Sequence, residues 1–109
     1  MSKFILLYNG PATPPEAMEA VKRDAIMAKW AQWMEKVGPA MVDMGQPMAN
    51  GEALVDDGSA GKALELSGYS IIQADDMAAA KKLAEDHPFL SDKTGRFSVE
   101  IFELLPAPM

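Results

Sequence analysis

GYSIIQADDMAAAKKLAEDHPFL, Gly68 to Leu90, sets the architecture. GYSIIQA, Gly68 to Ala74, is rich in β-branched and aromatic residues and reads as a strand. Asp76 follows as a helix cap, and Met77 to Asp86 reads as a short helix. Met77, Ala80, Leu83 and Ala84 fall on its inward stripe, and Lys81, Lys82 and Glu85 on its outer face. Pro88 biases His87 away from helical geometry, so the helix stops there. A strand that feeds a short capped helix is half of a βαβ unit.

The other elements extend the same pattern. KFILLYN, Lys3 to Asn9, is a continuous apolar run closed by Gly10-Pro11, which favours a strand. Phe4, Leu6 and Tyr8 share one face, and Ile5 and Leu7 the other. Both faces are apolar, so the strand belongs at the centre of a sheet with cover on both sides. TPPE, Thr13 to Glu16, forms a capping box with proline at the first helical position. The long helical segment after it carries two stripes. One holds Met18, Val21 and Ala25; the other runs through Ile26, Trp30, Trp33, Val37, Met41 and Met44. One straight helix cannot aim both at one core, so the spacing predicts a kink or two abutting helices near Lys22 to Ala25. A second irregularity is expected at Gly38-Pro39, with helical spacing continuing to Met44. Gly45 to Gly68 is turn-rich, with short strand candidates at ALVDD and ALEL. RFSVEIFELL, Arg96 to Leu105, closes the chain as a strand. Phe97, Val99 and Ile101 share one of its faces; Ser98, Glu100, Phe102 and Leu104 share the other.

The order strand, helix, strand, strand, helix, strand gives an α+β fold. It is the split βαβ, ferredoxin-like arrangement, one antiparallel sheet with both helices on one side. The sheet face away from the helices then keeps a large apolar patch, which predicts a homodimer laid sheet to sheet around a cavity.

Composition limits the function. A chain of 109 residues is a single domain, and at 49% apolar content it is not disordered. A net charge of -6 without a basic run excludes nucleic acid and anionic membrane as natural partners. The absence of cysteine excludes disulfides and thiolate chemistry. The FILLY run is too short for a signal-peptide core or a membrane span, so a cytoplasmic protein is the default. The nine methionines read as adaptable core filling or as a plastic ligand pocket.

KFILLY in the opening strand, the GYSIIQADD strand-to-helix turn, the alanine-rich helix ending in HPF, and SVEIFE in the closing strand together resemble the YCII-related proteins, including the relatives labelled DGPF. The WAQWMEKVGPAMVDMGQP segment is similar to one branch of that family. The likeness covers most of the chain apart from Gly51 to Ser67 and implies one YCII-related domain over residues 1–109. It also implies a small dimeric α/β barrel, in a family most of whose members have no established activity. Some members carry a histidine in the first helix and an aspartate just before the Pro-Phe of the second, a proposed acid–base pair. Here KRDAIMAKW offers no histidine, and His87 stands before Pro88-Phe89.

Two residues are candidates for catalysis. His87, the only histidine, titrates near neutrality. Glu85, Asp86 and the helix C-terminus would favour its cation, so it reads either as a cap or as a ligand-contacting or acid–base group. Glu100 sits mid-strand among apolar residues; desolvated, it would suit a general base, and on an edge strand it would only meet water. Tyr8, Asn9, Tyr69 and Gln73 are candidate ligand-binding residues that could line a pocket with Glu100. Trp30 and Trp33 are core residues or a stacking wall. A lone histidine with scattered carboxylates gives no metal site. No cofactor is expected either. A haem-handling barrel would need His87 as axial ligand, and its acidic neighbours and helix-end position argue against that.

Two functions remain open. One is an acid–base enzyme of isomerase, lyase or cofactor-free oxygenase type, acting on a small organic substrate. The other is a non-catalytic ligand- or partner-binding module.

Overall fold

The computed structural model describes residues 1–10, 19–90 and 95–106. Three long strands, one short strand and two helices build its main layer pair. β1 (Ser2–Asn9) leads to α1 (Ala20–Val37), which ends in a single 3₁₀ turn, Gly38–Ala40. β2 (Met41–Asp43) follows, then a small hairpin of β3 (Ala53–Leu54) and β4 (Ala60–Gly61). β5 (Leu66–Ala74), α2 (Met77–Ala84), a 3₁₀ turn at Pro88–Leu90 and β6 (Ser98–Leu104) complete the order.

The main sheet runs β2-β5-β1-β6, with antiparallel pairing throughout. This is the ferredoxin-like order, with the two strands that precede helices in the middle. β1 is central, as its two apolar faces require. Phe4, Leu6 and Tyr8 are buried on the helix side, where they join Ile72, Ala74, Trp33, Val37, Ala80 and Ala84 in the core. Ile5 and Leu7, on the other face, are only half-buried. Asp76 caps α2 as its position implies, its carboxylate accepting from the Ala79 N–H at 2.8 Å.

Four expectations need correction. α1 is a single uninterrupted helix, not a kinked pair. Only the Trp30, Trp33 and Val37 stripe meets the core, while Val21 is 82% exposed; the first stripe has no sheet beneath it. Met18 and the Thr13–Glu16 capping box lie outside the described residues. The helical pattern does not reach Met44. Gly38, at φ 52°, ends α1 and donates its N–H to the Met34 carbonyl. The 3₁₀ turn Gly38–Ala40 carries Pro39 at its centre, and Met41–Asp43 becomes the edge strand β2. ALVDD contributes only β3, and of ALEL only Leu66 enters a strand. Met77, expected on the inward stripe, is 40% exposed and stays outside the core that Ala80, Leu83 and Ala84 join.

Gly45 and Gly68 sit where a neighbour approaches the backbone closely. Gly45, at φ 77°, packs so tightly on the Tyr69 carbonyl that no side chain fits. A Cβ on Gly68 would lie 3.1 Å from the Tyr8 ring, so its absence makes room for that ring.

Candidate functional site

The predicted site residues divide between the two faces of the sheet. On β1, Tyr8 points with Phe4 and Leu6 toward the helices, while Leu7 and Asn9 point away. Leu7 pairs with Tyr69 on one side and Glu100 on the other, and Lys3 pairs with Gln73. Asn9, Tyr69, Gln73 and Glu100 therefore share the face away from the helices, with Ile5, Ile71 and Phe102. Tyr8 and His87 lie together on the helix side. Strand alternation separates Tyr8 from the set it was expected to join, and it keeps the two catalytic candidates, His87 and Glu100, on opposite sides of one sheet.

His87 is where the structure departs most from the sequence reading. It is 2% exposed and lies among rings: Tyr8 at 4.4 Å between centroids, Trp33 at 4.4 Å and Trp30 at 4.5 Å. Phe89 lies against Tyr8, tilted, at 5.6 Å between centroids. The expected cation is not favoured. Burial strips the hydration a cation needs and lowers the pKa of His87 from 6.5 to about 4. Nor does the imidazole offset the acids beside it. Lys36 of α1 does so, donating to the Asp86 carboxylate at 2.8 Å and to the Lys82 carbonyl at 2.9 Å. The backbone, not the side chain, closes the helix end: the His87 N–H donates to the Ala84 carbonyl, and the Leu90 N–H to the His87 carbonyl.

The chain turns inward here because Pro88 and the 3₁₀ turn fold back against α1 and β6. The Phe89 N–H donates to His87 Nδ1 at 3.0 Å and fixes the ring. Nε2 is buried with no hydrogen-bond partner among the described residues. Trp33 anchors the other wall, its indole N–H donating to the Leu83 carbonyl at 2.8 Å. Tyr8 is held by a relay: its hydroxyl donates to Ser70 Oγ at 2.6 Å, and the Ser70 hydroxyl donates to the Met44 carbonyl at 2.7 Å. Burial pushes the Tyr8 phenol up to about 12, so it stays protonated. Ser70 and Phe89 were not singled out from the sequence. The alternation that places Ser70 on the inner face with Ile72 was the available signal for Ser70.

Beside this chamber, between the C-terminal half of α1 and the end of α2, lies a cleft of about 410 Å³. Lys29, Gln32, Trp33 and Lys36 form one wall; Asp86 and His87 contribute to the other. The other face carries a different set. Glu100 and Tyr69 are half-buried, with Phe102 53% and Leu104 39% exposed. Among the described residues no group of three or more histidine or acidic side chains could hold a metal ion, and no helix is long and apolar enough to cross a membrane.

The fold and this site can be compared with known proteins. No curated protein matches the chain. Among solved structures, the 5-chloro-2-hydroxyhydroquinone dehydrochlorinase of Burkholderia phenoliruptrix, in complex with 2,5-dihydroxybenzoquinone, has a similar fold. Its TM-score is 0.56 at 15% identity, over 96% of this chain and 95% of that one. The profile of the YCII-related domain matches residues 1–105, and the chain belongs to that family.

Proposed function

We propose that this protein is a small-molecule-binding homodimer whose ligand site is the ring chamber around His87. The observation that carries this reading is the buried Nε2, which has no hydrogen-bond partner among the described residues. Leaving a polar atom buried without a partner costs about 1–3 kcal/mol, and such a cost is usually met by a ligand or an ordered water. The ring walls are the usual lining of a small-molecule site. The similar fold of a dehydrochlorinase with a bound quinone is in keeping with a small flat ligand.

Binding is favoured over acid–base turnover. With its pKa near 4, the imidazole is a weak base at neutral pH, and Glu100 lies across the sheet from it. A second reading gives the site to Glu100, half-buried beside Leu7 in a cavity between two copies. One experiment separates the two: thermal-shift screening of small aromatic and carbonyl compounds against the wild type, His87→Asn and Glu100→Gln. Stabilisation that vanishes in His87→Asn and persists in Glu100→Gln is expected. The reverse pattern would move the site to the other face.

The homodimer is supported by the uncovered face. Ile5, Ile71 and Phe102 form one cross-strand row there, and Leu7 and Leu104 flank it. A second copy laid over this face would bury these side chains and enclose a cavity lined by Tyr69 and Glu100. Roughly 800 Å² per protomer makes a standard interface. Sedimentation equilibrium at micromolar concentration should give twice the chain mass, and Phe102→Glu should return it to one. A wild-type monomer would overturn the assembly but not the His87 site, which is built within one chain. No nucleic acid or membrane partner is part of this reading, and a cytoplasmic location is in keeping with it.

A further inference from the structure

We propose that His87 anchors its ligand as a neutral Nε2–H donor, so that the ligand is an uncharged, planar compound with a carbonyl-type oxygen acceptor. The inference rests on the ring chamber being the ligand site. Its basis is the tautomer. The Phe89 N–H donates to Nδ1 at 3.0 Å, so Nδ1 must present a lone pair. In a neutral imidazole the proton then sits on Nε2. Nε2 has no hydrogen-bond partner among the described residues, so the site holds an unmatched donor rather than an unmatched acceptor.

That donor selects its ligand. An alcohol or amine could bond to it only by turning a lone pair inward and burying its own hydrogens unmatched. A carbonyl oxygen has lone pairs and no hydrogen to strand. A carboxylate would also accept, but it would lose its hydration with no cation against the imidazole. The groups whose rings touch His87 are Tyr8, Trp30 and Trp33, none of them charged. The cations of the cleft wall, Lys29 and Lys36, lie outside this ring contact, and Lys36 is already paired with Asp86. The walls favour a flat molecule, because aromatic rings pack well against conjugated faces and edges. Nε2 is closed to solvent, so entry of a ligand displaces a ring. Trp30, half-buried where Trp33 is fully buried, is the less tightly held of the two indoles. With the ligand in place, the N–H would draw electron density toward the carbonyl oxygen and polarise it, without transferring its proton.

The single histidine makes the test direct, since every imidazole signal belongs to His87. Nitrogen NMR of the full chain at pH 7 should show a protonated Nε2 and an unprotonated Nδ1. Three probes built on one bicyclic frame then compare the acceptors: indanone, indane and indane carboxylate. Indanone should shift the Nε2–H resonance and bind roughly fivefold to tenfold tighter than indane, the scale of one neutral hydrogen bond. The carboxylate should bind more weakly than indanone. A proton on Nδ1, with indanone still perturbing the ring signals, would overturn the donor assignment and leave the ligand site standing. Equal binding of indane, or tighter binding of the carboxylate, would overturn the ligand class. An Nε2–H that contacts a bound water and ignores all three probes would mark a structural water and overturn both the inference and the site.

Discussion

Replacing Trp33 with alanine should destabilise the protein by about 3–5 kcal/mol, the range for a large aromatic removed from a core. Three features converge on this residue. It is 2% exposed in the main core. It meets Trp30 edge-on at 6.0 Å and His87 at 4.4 Å, so its loss opens the chamber as well as the core. Its N–H donates to the Leu83 carbonyl, which ties α1 to α2 across the helix layer. Alanine would leave a cavity and take the donor from a carbonyl near the end of α2. Trp33→Phe is the milder variant: it keeps a six-membered ring in the core but removes the hydrogen bond and leaves a smaller cavity, so a loss between the wild type and the alanine variant is expected. Urea melts at one fixed protein concentration provide the measurement, since assembly would make apparent stability depend on concentration. On the scale of a domain this size, the alanine variant should melt at least roughly 10 °C lower. A loss below about 1 kcal/mol in Trp33→Ala would mean the two helices are not coupled through this residue.

The parts of the fold that were legible in the sequence are those in which local signals and burial agree. β1, β5, α2 and β6 combine alternation, a cap at Asp76 and a stop at Pro88, and they form within a few residues of where these signals lie. β2 was hidden because Met41 and Met44 continue the helical spacing of Trp30, Trp33 and Val37. The backbone turn at Gly38-Pro39 overrides that spacing, and pairing with β5 captures Met41–Asp43 as a strand. Val21 misled in the opposite way, since an apolar residue on a helix need not meet a core.

The candidate site was legible only in its membership. Tyr8, His87 and both tryptophans were named, but the charges next to His87 in sequence are not its neighbours in space. Asp86 turns outward to Lys36, while the imidazole turns inward to rings. That reversal changes its expected state at neutral pH from cation to neutral donor. Sequence proximity gave the wrong electrostatics because the 3₁₀ turn at Pro88–Leu90 rotates one residue away from the next, and no local pattern announces that rotation.

The reversal has a consequence for stability in mild acid, where His87 alone should remove about 3 kcal/mol. Its pKa is about 4 in the folded chain and near the ordinary 6.5 once unfolded. The folded value is the lower, so the unfolded chain takes up the proton first as pH falls. Stability from this group is therefore complete above about pH 6.5, declines as pH falls to about 4, and changes no further below that. Between about pH 6.5 and 5 carboxylates remain largely ionised, so the only histidine dominates the slope. Denaturant melts across this window should show the fall in the wild type. His87→Asn offers an oxygen to the Phe89 N–H and cannot gain a proton, so its curve should start lower and run flat. The difference between the two curves isolates the imidazole from every surface carboxylate. Parallel curves would mean that His87 titrates alike folded and unfolded. The imidazole would then be hydrated in the native protein, and the closed ring chamber could not be its resting state.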